Sequence, residues 1–319
     1  MQKLYRYSDY LGLDFFDNPT IPLSLPSTLN DPFESSLSED LFKYISTHFK
    51  HDIDKAVENL KFTMSEYLNL IGVTSLSETN RNLLMWAHYA NHHKGICLGI
   101  SEDFLLHKSE MPFLYAENYY VRGLTKPQKI NYDNKRFDTT EHEIIDYSRF
   151  KSGEFINDYI IKHLMVKGDE WICEKEHRTI TPLGCFDEIK NIGLNSNPEL
   201  LDLLQHSIRL NECHKTSKTE EKYAFKDQTH KNLFVNLACN KRFNYAKGLL
   251  FLVSLKPEHV ISLHLGHRFS HEEEKNIINK VSDPKHKLNH IKIYKRHVNP
   301  ERFELDAYQI YPMHSKKRV

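Results

Sequence analysis

Residues 171–182 read Trp-Ile-Cys-Glu-Lys-Glu-His-Arg-Thr-Ile-Thr-Pro, and this stretch constrains the chain more than any other. Glu174 and Glu176 stand two residues apart, just before what reads as a strand. Alternate residues of a strand point to one face, so both acids are expected to project together, with Arg178 next in the row. Paired carboxylates repel, which raises the pKa of one of them unless a cation or hydrogen-bond donors compensate. The plain alternative is a solvated strand edge on which Arg178 neutralises the acids.

The 319 residues are 39% hydrophobic and 27% charged, ordinary for a soluble globular protein with a sizeable core. Lys plus Arg equal Asp plus Glu at 43 each, so no global basic field draws the chain to nucleic acid or an anionic membrane. Such binding needs a local patch. Cys97, Cys173, Cys185, Cys213 and Cys239 are scattered and form no C-x-x-C pair, which points to a reducing compartment. The N-terminus lacks an apolar h-region and no 18 apolar residues run together, so the expectation is a cytoplasmic protein without a membrane partner.

In chain order, Leu4–Tyr7 alternates as a short strand, and Leu23–Leu25 suggests a second before a Pro- and Asn-rich turn, 26–34. Ser38 can cap a helix with Leu41, Tyr44, Ile45, His48 and Phe49 on one stripe, and a second helix spans about 54–70. Ile71–Ser77 reads as a strand, and a helix from about Asn80 ends near Gly95. Ile96–Ile100 is a buried strand, Phe113–Val121 another, 122–134 a loop, and 139–166 helical. Residues 184–247 are polar and read as a helical, partly mobile insertion in one domain spanning 1–319. Strands return at 249–255 and 259–266, then a helix at 270–281, strands at 291–294 and 303–307, and a solvated basic tail, 316–318. The fold class is α+β.

His88 and His92 lie one helical turn apart, a metal-ligand spacing, but no third ligand stands at a diagnostic distance, so no metal is assigned. None of the cysteines sits in a nucleophile context, and with no Gly-rich phosphate loop a Rossmann or P-loop fold is excluded.

Tyr5-Arg6-Tyr7, Leu29-Asn30-Asp31-Pro32-Phe33-Glu34, Ser75-Leu76-Ser77-Glu78, Met85-Trp86-Ala87-His88-Tyr89-Ala90 and Glu174-Lys175-Glu176-His177-Arg178 occur in that order. The series resembles an uncharacterised bacterial family of unknown function. It is also similar, more loosely, to the Arg–Ser–Glu order of ADP-ribosyltransferases, which implies a split-sheet core with surrounding helices. That resemblance implies NAD as co-substrate: Arg6 on its diphosphate, Ser75 or Ser77 orienting the ribose and the acid, Glu176 catalytic and Glu174 positioning the acceptor. Tyr7, Asn30 and His88 join the cofactor-binding set, and Trp86 and Tyr89 would stack on nicotinamide or adenine. Two departures stand out: Tyr5 and Tyr7 flank Arg6, and Leu76 replaces the Thr usual between the two serines.

The implied function is a mono-ADP-ribosyltransferase, a toxin of a conflict or phage-defence system. Its expected acceptor is nucleic acid rather than protein, with an antitoxin or chaperone as a further partner. A non-catalytic nucleotide- or partner-binding sensor is the alternative. A third reading is a nuclease holding a divalent metal on Asp31, Glu34, Glu174 and Glu176.

Overall fold

The computed structural model describes residues 2–46, 53–108, 113–115, 119–121, 123–136 and 154–312. The helix expected over 139–166 is therefore described only from residue 154, and the basic tail 316–318 lies outside the described residues.

The chain is α+β. Its first strands are β1 (Lys3–Ser8), β2 (Thr20–Leu23), β3 (Ile71–Ser77), β4 (Ile96–Ser101), β5 (Phe113–Tyr115), β6 (Tyr119–Val121), β7 (Leu124–Lys129), β8 (Asn131–Tyr132) and β9 (Val166–Lys167). After them come β10 (Glu176–Pro182), β11 (Glu188–Asn191), β12 (Cys213–Lys215), β13 (Lys222–Phe225), β14 (Leu249–Ser254), β15 (Val260–Leu265), β16 (Lys292–Val298) and β17 (Leu305–Tyr311). The helices are α1 (Asp14–Asp17), α2 (Glu39–Ser46), α3 (Ile53–Leu68), α4 (Leu83–Tyr89), α5 (Glu154–Leu164), α6 (Pro198–Arg209), α7 (Gln228–Ala238) and α8 (His271–Val281).

An eight-stranded sheet runs β17-β16-β15-β4-β1-β3-β10-β7, and a five-stranded sheet runs β12-β13-β11-β14-β2. Neighbours are antiparallel except β15 and β16, which α8 connects as a parallel pair. Ser270 caps α8 by accepting from the Glu273 amide, and three glutamates in its first turn complement the helix dipole.

Strand β3 changes partners along its length. Ser77 pairs with Tyr5 of β1, yet four residues earlier Val73 exchanges both backbone hydrogen bonds, each 2.8 Å, with Ser24 just beyond β2. Tyr5–Ser77 is the single register pair between β1 and β3, so the two strands part there and the sheet splits. Gly72 permits the close approach on the β2 side, because a Cβ there would stand 2.6 Å from that of Leu23.

Two expectations need correction. Residues 122–134, read as a loop, contain β7 and β8. Strand β7 forms the sheet edge, which tolerates Pro127 and the outward Lys126 and Lys129, the same residues that disguise it in the sequence. Residues 184–247 hold α6 and α7 as expected, but also β11, β12 and β13 of the five-stranded sheet. Their inward residues Ile189, Tyr223 and Phe225 join the main core, where Phe186 meets Phe225 and Phe251 edge-on at 5.7 and 5.4 Å. Among the described residues no helix is long and apolar enough to cross a membrane.

Candidate active site

The split between β1 and β3 opens a cavity of about 190 Å3, lined by Tyr5, Arg6 and Tyr7 of β1, Ser75–Ser77 of β3, and Glu176 and Arg178 of β10. Met85 and Tyr89 of α4 close one side, and Ser24, Leu29, Asn30 and Glu34 another.

Register explains the grouping. Glu176 lies opposite Ser77 and Arg178 opposite Ser75, so these four side chains occupy one face of the β3–β10 pair. The Ser75 carbonyl points into the split, where β1 offers it no backbone donor. Arg6 Nη1 donates to it at 2.9 Å. Among the described residues no carboxylate lies within salt-bridge distance of Arg6, and burial lowers its pKa to about 10, partly offset by Glu176. A half-buried cation without a paired anion is the kind of group that accepts an anionic ligand.

The two acids converge by a route other than strand alternation. Glu174 ends a 3-10 turn, Asp169–Glu174, Lys175 adopts a left-handed conformation with φ of 47°, and β10 begins only at Glu176. The buried Lys167 of β9 then bridges them, donating at 2.7 Å to Glu174 Oε2 and 3.3 Å to Glu176 Oε2. Arg178 Nε donates to Glu176 Oε1 at 2.6 Å, its Nη1 to the Leu164 carbonyl at 2.7 Å, and its Nη2 to Glu34 Oε1. Tyr89 Oη donates to Glu174 Oε1, and Ser77 Oγ to the Glu174 carbonyl at 2.7 Å. The Glu176 amide donates to Tyr132 Oη at 2.8 Å.

Burial by itself raises a carboxyl pKa, but Arg178 and then Lys167 overcome it at Glu176 and hold it at about 2, with the Ser75 hydroxyl contributing. Glu176 is thus ionised at neutral pH despite 3% exposure. At Glu34 the balance falls the other way: burial raises its pKa and Arg178 and Lys167 only partly offset it. The solvated strand edge does not describe this pair. Arg178 does neutralise the acids, but it is 1% exposed.

A second cavity, about 300 Å3, adjoins the first and shares Glu34 and Lys167 with it. Asp31, Asp133, Asp169 and Glu170 line it against Arg136 and Lys167, so this wall carries no local basic patch. Lys167 also lies 4.5 Å from the Trp171 ring centre and Arg136 5.1 Å from that of Phe33.

The structure therefore brings Arg6, Tyr7, Asn30, Ser75, Ser77, Tyr89, Glu174 and Glu176 together. It does not bring Trp86 or His88. Trp86 is fully buried, edge-on to Tyr7 at 5.3 Å, with its indole N–H donating to the Asn80 carbonyl at 2.9 Å. No ring face remains for a ligand, because Arg296 also packs 5.9 Å from its centre. His88 is exposed and lies outside the cavity lining. Among the described residues no cluster of His, Cys, Asp or Glu is suited to a metal. Glu34, Glu174 and Glu176 converge instead on Arg178 and Lys167, whose cationic heads stand where a nuclease metal would.

Sequence reasoning missed Lys167 and the shared position of Glu34. Lys167 sits in a two-residue strand with no periodic signal, and only the tertiary fold carries it between the acids.

Residues 85–179 match the model of a family described as protein of unknown function (DUF2971). The resemblance read from the motif series holds over that span, which includes most of α4 and of β10, whereas Arg6, Glu34, Ser75 and Ser77 precede it. No curated protein and no solved structure matches the chain.

Proposed function

We propose that the chain is an NAD-dependent mono-ADP-ribosyltransferase whose first cavity takes the nicotinamide–ribose half of NAD. The observation that carries this reading is the split between β1 and β3, with Arg6, Ser75, Ser77 and Glu176 around one cavity. Arg6 meets the diphosphate with the donors left after its bond to Ser75. About 190 Å3 is less than a whole dinucleotide needs, so the adenosine half lies outside the cavity.

Loss of nicotinamide leaves an oxocarbenium-like ribose. Glu176, held ionised by its two cations, stabilises that charge, and Ser75 orients the carboxylate. Glu174 is engaged by Tyr89 and Lys167 and serves to position its neighbours. With carboxylates lining the adjoining cavity, phosphates are repelled there and a protein acceptor is favoured over nucleic acid. The proposed setting is the cytoplasm, where NAD is available.

Incubation of the protein with labelled NAD and either cell extract or RNA tests the reading. Wild type should release nicotinamide and label protein, and Glu176→Ala should lower both by about 100-fold or more. Growth inhibition on expression, if present, should be relieved by the same substitution. The reading fails if wild type neither releases nicotinamide nor labels anything.

The enclosure of Glu176 by Arg178 and Lys167 favours one second reading, a non-catalytic nucleotide or partner sensor. That reading expects ligand binding without nicotinamide release, and function retained in Glu176→Ala.

A further inference from the structure

Glu34 is the wall between the two cavities. It is 3% exposed, its Oε1 accepts from Arg178 Nη2, and its Oε2 is buried with no hydrogen-bond partner. Buried carboxylate oxygens are rarely left unpaired, and an orphan of this kind calls for a reason. The other carboxylates have theirs occupied: Glu174 by Tyr89 and Lys167, Glu176 by Arg178 and Lys167. Among the three acids lining the first cavity, Glu34 alone has a side-chain oxygen that is buried and unbonded. His163 of α5 adjoins it, its Nε2–H donating to the Glu34 carbonyl at 3.1 Å, and burial keeps that imidazole neutral with a pKa of about 4.

We propose that Glu34 is the general base of the transfer, accepting on Oε2 the proton of an N–H or O–H nucleophile that enters through the second cavity. The proposal rests on the transferase reading of the first cavity. The nucleophile forms its bond to the ribose C1′ carbon as the bond to nicotinamide breaks, and nicotinamide departs with the electron pair as a neutral amide. The nucleophile's proton passes to Glu34 and then to solvent. No other reactant is needed. The arrangement also explains why the base is held by Arg178 through one oxygen only: the guanidinium fixes its orientation and leaves the second oxygen for the acceptor.

The test compares wild type with Glu34→Gln, which keeps the side-chain shape and an oxygen for Arg178. Two acceptors are supplied with NAD: methanol, which must lose a proton, and azide, an anion that carries none. Nicotinamide release and the ribosyl product are measured for each, with thermal unfolding and NAD affinity as controls for folding. Glu34→Gln should lower the methanol reaction by about 100-fold while the azide reaction stays within about threefold of wild type. Equal rates with methanol, or equal losses with both acceptors, overturn the role of Glu34. If wild type cleaves NAD with neither acceptor, the transferase reading itself falls, and this inference with it.

Discussion

Replacing Arg178 with Leu should cost about 3–5 kcal/mol of folding stability, because it removes one side of a buried ionic network and leaves the other side in place. Arg178 is 1% exposed, and its three nitrogens serve Glu176, Glu34 and the Leu164 carbonyl. Without it, Glu176 keeps its salt bridge to Lys167, Glu34 loses its ion-pair partner, and a backbone oxygen loses its donor. The cation's own pKa is raised: burial opposes the charge, but Glu176 and then Glu34 outweigh it. Urea unfolding gives the loss as a fall in midpoint at unchanged slope. Adding Glu34→Gln to Arg178→Leu should cost less than the sum of the two single changes, since the second substitution removes a carboxylate that the first left uncompensated. A strictly additive pair, or a single loss below about 1 kcal/mol, contradicts the network.

Trp86→Ala should be comparably severe, about 3–5 kcal/mol, through the cavity left beside Tyr7 and Leu305 and the loss of a buried indole donor. The residue is a core element that links α4 to β1: Tyr7 meets it edge-on, and Tyr7 Oη donates to the Thr79 carbonyl at 2.8 Å. Arg296 reaches the same spot, giving Nη2 to the Asn80 carbonyl at 2.9 Å beside the indole's own bond. The folded fraction of Trp86→Ala should still bind NAD within about threefold of wild type. A selective loss of binding with stability intact would return Trp86 to the ligand site.

Much of this arrangement is legible in the sequence. Alternation at Leu4–Tyr7 and the strand readings of Ile71–Ser77 and of the stretch after Glu174 place the three strands that line the split, and the i, i+2 spacing of Glu176 and Arg178 gives their common face. The helix read from about Asn80 to Gly95 is shorter in the structure, Leu83–Tyr89, and starts where Asn82 caps it, accepting from Leu84 and Met85 amides at 2.8 and 3.3 Å. Trp86 was misassigned because an aromatic on a short amphipathic helix has no local mark distinguishing a core face from a ligand face. In the sequence Glu34 reads as part of a turn and, with Asp31, Glu174 and Glu176, as a metal ligand, but not as an ion-pair partner of Arg178. Its burial depends on Arg178 arriving from 144 positions later in the chain. The strands of the five-stranded sheet in 213–225 are three and four residues long, the first ending and the second beginning with a lysine, too short for a period-2 signal to emerge.

The account turns on whether the gap between β1 and β3 holds NAD against Arg6, and calorimetric titration of the protein with NAD measures that directly. Wild type should bind saturably, and Arg6→Ala should bind at least about tenfold more weakly, the loss of one charge-assisted bond. No saturable binding by wild type, or the same affinity in Arg6→Ala, contradicts it.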